Sequence, residues 1–147
     1  RFGLEGDTPE SRIVAAAKDA VVYENIMEFP KQFDTVVGER GITLSGGQKQ
    51  RVSIARALIR DPDILVLDDC LSAVDTLTED AILHTLKLKM QHRTSVLVSH
   101  RVSSVRSADR IFVLENGKII ESGSHDSLLN SGGAYAGFAA MQAVESM

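Results

Sequence analysis

The stretch from Ile64 to Asp69, reading ILVLDD, restricts the possible folds of this chain more than any other. Four apolar residues run without alternation and stop at two adjacent carboxylates. Such a run is the pattern of a strand buried on both faces of a parallel sheet, although four residues alone also fit a buried helical turn. A second run, TSVLVSH from Thr94 to His100, repeats the pattern. Between the two, Ile82, Leu86 and Met90 recur at helical spacing, and Thr76 to Glu79 has the spacing of a capping box. Strands alternating with helices place the chain in the α/β class.

The flanking segments read as follows. Thr8 as a cap and Pro9 in the first turn predict a helix with Ile13, Val14, Ala17 and Val21 on one face. A second short helix covers Val22 to Glu28 and stops at Pro30. Asp34 to Gly41, DTVVGERG, reads as a short extended piece. LSGGQ, Leu44 to Gln48, leads into a helix from Gln48 to Arg60 carrying Val52, Ala55, Leu58 and Ile59, which Asp61-Pro62 ends. Ile111 to Glu121 is a pair of apolar runs joined by Asn116-Gly117, a hairpin signal. A last amphipathic helix carries Tyr135, Phe138 and Met141.

Composition narrows the function classes. The 147 residues suffice for one domain with a core, and 44% hydrophobic against 24% charged residues is a globular balance. A net charge of −4 argues against a nucleic-acid partner, which calls for a basic excess. No apolar stretch approaches the ~18–20 residues that span a bilayer, and no signal peptide is visible. The single cysteine, Cys70, excludes an intramolecular disulfide. The opening residues RFGLEG read as the middle of a longer chain.

In parallel α/β sheets, ligands bind beyond the carboxyl ends of the strands. Asp68 and Asp69 stand at one such end and His100 at another. Carboxylate oxygens suit a hard cation such as Mg²⁺. Neighbouring strand residues point to opposite faces, so the two aspartates have different tasks. The pair equally suits caps for the following helix. In LSGGQ, Ser45 with Gly46 and Gly47 before a helix offers a close backbone approach and free N–H groups for a phosphate; a plain loop with a serine cap fits the same letters. A phosphate loop proper reads G-x-x-x-x-G-K-[ST]. The nearest match, Gly41 to Gln48, has Gly47 and Gln48 in place of the Lys and Ser/Thr. Cys70 reads as packing, and His84, His92 and His125 as surface residues.

Together, LSGGQKQRVSIARALIRDPDILVLDD, LSAVD, LVSHR and ADRIFVLENGKIIESGSH resemble the nucleotide-binding domain of an ABC transporter, in order and spacing, from about Asp34 to the end. The resemblance implies a partial P-loop NTPase core with a helical signature subdomain and its Walker A lobe missing. Residues 1–60 correspond to the helical subdomain. Residues 61–147 correspond to the remainder of the ATP-binding core with its hairpin and terminal helix, together the second half of one domain. It implies ATP and Mg²⁺ as ligands. Leu44, Ser45, Gly46, Gly47 and Gln48 become the signature motif, which closes over the γ-phosphate of ATP held by a partner domain. Asp68 ends the Walker B strand and orders Mg²⁺ through water. Ser72, Ala73, Val74 and Asp75 form the D-loop along the domain interface, and His100 is the switch histidine at the γ-phosphate and attacking water. The Walker A loop, the adenine-stacking aromatic and the Q-loop glutamine precede Arg1 in the family's order. The same resemblance implies a membrane exporter at the cytoplasmic face of the cell membrane, with its transmembrane domain upstream in the same chain. Its partner is a second nucleotide-binding domain from a different half-transporter, and no nucleic acid takes part. A soluble ABC ATPase clamping ribosome or DNA, or a non-catalytic fragment, is the alternative.

One departure matters. The family places glutamate after the Walker B aspartate and proline next; here stand Asp69 and Cys70, as in one half of heterodimeric exporters with one weak ATP site. Aspartate is shorter by one C–C bond, ~1.5 Å, and a ~1 Å misplacement can cost about a hundredfold in rate. The basicity difference, about 0.4 pKa units, is the lesser effect. Asp69 therefore predicts a site that holds ATP and hydrolyses it poorly, while the intact signature motif serves the partner's site. With strands of the core missing, the sheet is also expected to present an apolar face uncovered.

Overall fold

A computed structural model describes residues 8–38, 42–91 and 93–145. They form two compact units, Arg1–Val98 and Ser99–Met147.

The first unit opens with α1, Glu10–Asp19. Its N-cap is Pro9, and no side chain caps it, so Thr8 does not play the expected part. The helix closes in a Schellman arrangement: the Val22 N–H donates to Ala17 O at 2.9 Å and the Val21 N–H to Lys18 O at 3.0 Å. Val21 occupies the left-handed position at φ 52°, a costly place for a β-branched residue. It therefore leaves the helical face on which its spacing had placed it. The Arg51 guanidinium donates to the Val21 carbonyl and holds this turn. Helix α2, Tyr23–Met27, and a single 3₁₀ turn at Gln32–Asp34 follow, with the Tyr23 and Phe33 rings 6.2 Å apart. The extended piece expected over residues 34–41 reduces to one bridge between Val37 and Ile42; Glu39, Arg40 and Gly41 lie outside the described residues.

Helix α3, Gly46–Leu58, starts two residues earlier than expected, capped by Ser45. Strand β1, Ile64–Asp68, leads through a turn to α4, Thr76–Lys89, and then to β2, Thr94–Val98. The two strands pair in parallel, Ile64 beside Thr94 through Asp68 beside Val98. The cap of α4 is Asp75, whose Oδ1 accepts the Thr78 N–H at 3.0 Å, not Thr76 as the capping-box spacing implied. Glu79 is buried.

One apolar cluster joins Ala17, Ala20, Val22 and Ile54 of the helices to Leu65, Leu67, Leu71, Ile82 and Leu86. The helical segment before residue 60 and the strand-helix segment after it thus share a core. Truncating Ile54 or Ile82, both fully buried, to alanine costs about 2–5 kcal/mol. Strand β1 is not buried on both faces. Leu65 and Leu67 enter the core, while Val66 is 62% exposed beside Val96 at 46%, with Ile64 and Val98 also exposed. The uncovered apolar face expected of the sheet is present.

The second unit contains α5, Val102–Val105, the antiparallel hairpin β3, Ile111–Glu115, and β4, Lys118–Gly123, then α6, His125–Ser131, and α7, Ala134–Glu145. Asn116 and Gly117 both take positive φ, 49° and 74°, as a tight hairpin turn requires. Helix α6, not foreseen, is bounded by the Ser124 cap and by Gly132 at φ 66°. The Glu121 carboxylate accepts the Ala134 and Tyr135 N–H groups at 2.6 and 3.1 Å and so starts α7. Of the three residues expected on its buried face, Tyr135 is buried and Phe138 and Met141 are exposed. Steps of three residues drift about 60° around a helix each time, so the trio does not share a face.

Candidate functional site

The site in the first unit is built where α3 begins and β1 ends. Ser45 Oγ accepts the Gln48 N–H at 3.2 Å, and Gln48 Oε1 accepts the Ser45 N–H at 2.9 Å. Ser45 and Gln48, expected at a phosphate, are thus paired with each other as a capping box. Leu44 is buried beneath them. Gly46 and Gly47 form the first turn, where N–H groups lack helical partners and favour an anion.

Asp68 is exposed at the last position of β1. Asp69 is exposed too, with φ 45°, in the left-handed region where Asp and Asn are the non-glycine residues most at home. Its N–H donates to Val98 O at 3.0 Å, continuing the β1–β2 ladder by one rung. Its carbonyl accepts Ser72 Oγ at 3.0 Å. These bonds turn the chain sharply after the strand, and Asp69, at φ 45°, lies beyond the strand in which side chains alternate.

The residue that organises the loop is Gln50, on the second turn of α3. Its Nε2 donates to Ser72 Oγ at 2.9 Å and to Asp69 O at 3.3 Å, and its Oε1 accepts the Ala73 N–H at 2.9 Å. Leu71 and Val74 anchor the same loop in the core, and Asp75 caps α4. Hydrogen bonds from Thr78 hold the Asp75 carboxyl below its ordinary pKa. Gln50 was missed by the sequence reading because nothing in its spacing separates it from the polar residues of an ordinary helix face. Its position two residues after the motif was the one available signal.

His100 belongs to the second unit. Its carbonyl accepts Gln142 Nε2 at 2.6 Å, and Gln142 Oε1 accepts the Val102 N–H at 2.8 Å. Gln142 thereby ties the His100 loop to α7. Cys70 is half-buried, and burial pushes its thiol pKa up, with the neighbouring Asp69 and Asp68 charges adding to the shift. A thiolate nucleophile is disfavoured there. His84 is exposed, whereas His125 is half-buried with Nδ1 2.8 Å from the Tyr135 hydroxyl; His92 lies outside the described residues.

Among the described residues no three metal-ligating side chains gather. A hard cation that keeps its waters and takes one or two carboxylates together with phosphate oxygens needs no such cage. Asp68, exposed at a strand end, fits that demand.

Comparison with known proteins bears on the arrangement. The sequence model of the ABC transporter family matches residues 5–72. The ATP-dependent lipid A-core flippase of Pseudoalteromonas translucida is 43% identical over 141 residues, 96% of this chain and 24% of that protein. The ABC multidrug transporter atrD of Emericella nidulans is 48% identical over 132 residues, 90% of this chain and 10% of that protein. The structure of a bacterial Atm1-family ABC exporter with ATP bound superposes with a TM-score of 0.90 at 45% identity, covering 97% of this chain and 25% of that one. The chain spans a quarter or less of each of these relatives.

Proposed function

The chain belongs to the ABC transporter family, as part of its nucleotide-binding domain, and from that premise we propose that it serves ATP binding and hydrolysis that drive export across a membrane. One observation supports this best: the first turn of α3 and the loop after β1 are packed as one piece through Gly47 and Gln50. A free helix start and a strand-end carboxylate are the two parts that nucleotide chemistry needs, for phosphate and for Mg²⁺ respectively.

In this reading Asp68 holds Mg²⁺ through water. The ion neutralises phosphate charge when bound. The Gly46 and Gly47 backbone N–H groups, in the turn that Ser45 caps, face nucleotide carried by a second nucleotide-binding domain, and Ser72 to Asp75 lie along the contact between the domains. Asp69 sits where a base would position water and is one bond short for it, so this domain's own site holds ATP more than it cleaves it. His100, in the second unit, is the switch histidine that the resemblance implies. The second domain comes from a different half-transporter, and the membrane-spanning part belongs to the same polypeptide as this segment, which works at the cytoplasmic face. The matched relatives carry the names of flippase, multidrug transporter and exporter. With the hairpin at residues 111–123 they favour export over a soluble clamp on ribosome or DNA.

The test is steady-state ATP hydrolysis by the full-length protein with its partner in lipid vesicles. Ser45→Arg, which fills the space before the α3 N–H groups, lowers total turnover by more than tenfold; unchanged turnover would overturn the reading. The 147-residue polypeptide alone contains no lysine-bearing phosphate loop, and calorimetry with Mg-ATP is expected to show no binding to it. A dissociation constant in the low micromolar range would contradict that account.

A further inference from the structure

We propose that Gln50 is a positioning residue, one that locks the loop from Asp69 to Ala73 onto the start of α3 so that the two elements move together. The inference rests on the ATPase reading above and goes beyond it, since it assigns a role to a side chain to which that reading gives none.

The geometry is specific. A primary amide has one acceptor oxygen and one donor nitrogen, and Gln50 uses both on the same loop. The oxygen takes the Ala73 N–H at 2.9 Å. The nitrogen serves Ser72 Oγ at 2.9 Å and Asp69 O at 3.3 Å. Ser72 Oγ in turn donates to Asp69 O at 3.0 Å, closing a ring of bonds around the turn. One face of that turn rests on Gly47, where a Cβ would stand 2.7 Å from Ala73 O. Arg51, the next residue, donates to Gly47 O at 3.4 Å and to Val21 O. The first two turns of α3 therefore hold both the helix start and the loop. The α3 start, whose N–H groups in the reading above serve the partner's working site, depends on that loop to stay in one place.

Gln50 spends both ends of its amide on the loop, so its loss acts on the placement of other groups. Misplacement by ~1 Å is enough to cost about a hundredfold in rate, whereas ground-state binding is left alone. The expectation is a loss in kcat with KM for ATP unchanged.

The experiment uses the full-length protein with its partner. Gln50→Ala removes all three bonds. Gln50→Glu keeps the size and the acceptor for the Ala73 N–H and loses the donor to Ser72 Oγ and Asp69 O. Two readouts are taken: kcat and KM for ATP, and hydrogen exchange of the Ala73 amide without nucleotide. Expected is a kcat loss of at least fivefold in Gln50→Ala, KM within twofold, faster Ala73 exchange, and intermediate values in Gln50→Glu. If Gln50→Ala does not fold, the Glu variant carries the same test at reduced amplitude. An unchanged kcat, a kcat loss without faster Ala73 exchange, or a change in KM alone overturns the proposal. If the wild-type protein hydrolyses no ATP, the ATPase reading fails, and the exchange of Ala73 alone then decides whether Gln50 holds the loop.

Discussion

Gly47 lies so close to Ala73 that a Cβ built on it would stand 2.7 Å from the Ala73 carbonyl oxygen, while one built on Gly46 would meet the Ala73 methyl at 3.4 Å. The two glycines of the motif thus have different local reasons to be glycine. At residue 47 the loop backbone leaves no room. At residue 46 it does.

A stability contrast follows. Gly47→Ala forces the helix start away from the loop and costs about 1–3 kcal/mol, the range for overpacking. Gly46→Ala is close to neutral, because alanine recovers up to ~1 kcal/mol of helix propensity against an ordinary contact. Thermal denaturation of the two variants side by side checks this. Equal melting temperatures would show that the approach to Ala73 is not tight.

How far the sequence alone reached is clearest at this site. Most elements were legible because each has a local cause, the hairpin in Asn116-Gly117 and the end of α3 at Asp61-Pro62, whereas the short helices α5 and α6 were not. Which residues of β1 face outward was not legible, because Val66 and Leu65 are the same kind of letter and only their surroundings differ. The caps at Pro9 and Asp75 each shifted by one residue from the reading, since several adjacent polar or proline residues compete for the position. Gln50 and Gln142 were invisible for another reason: their partners lie 19 to 42 residues away, and nothing local records the pairing.

Ser45 separates two effects that the motif combines. Ser45→Ala removes the hydroxyl that accepts the Gln48 N–H and weakens the start of α3 by ~1 kcal/mol, the usual worth of an N-cap. It leaves the backbone N–H groups in place. A lower melting temperature with turnover largely kept is the expected result. A loss as large as that of Ser45→Arg would mean that the hydroxyl itself, and not only the space before the helix, is needed.

The Asp61–Arg93 ion pair, 2.5 Å long, ties the end of α3 to the start of β2. The hydrogen bond from Arg93 holds the Asp61 carboxyl below its ordinary 3.8. A depressed carboxyl contributes stability that is complete above the ordinary pKa and disappears as pH falls through the folded one. Asp61→Asn therefore lowers the melting temperature slightly at pH 7, as suits an exposed pair. The difference from wild type starts to close near pH 3.8 and is gone only once the pH lies below the lowered folded-state pKa. A gap that persists there would assign the effect to something other than the charge.

Cys70 should be a slow thiol. Burial is the main cause of its raised pKa, with the Asp69 and Asp68 charges adding to it. Iodoacetamide at pH 7 modifies the folded protein at Cys70 more slowly than it modifies the same residue after denaturation. A folded-state rate equal to the denatured one would contradict both the burial and the shift.

The strongest test concerns Asp69. Its backbone sits at φ 45°, where Asp and Asn are both tolerated, so Asp69→Asn changes the charge and little else. If this carboxylate is too short to position water, the partner's site carries the flux and total ATPase in Asp69→Asn falls by less than about twofold. Asp69→Glu extends the side chain by one C–C bond, ~1.5 Å. It raises turnover at this site at some strain in the left-handed turn. The decisive measurement is steady-state hydrolysis by the complete transporter carrying Asp69→Asn. A near-complete loss would show that aspartate already reaches the water, and that the missing methylene is made up by the way Val98 O and Ser72 Oγ hold the Asp69 backbone.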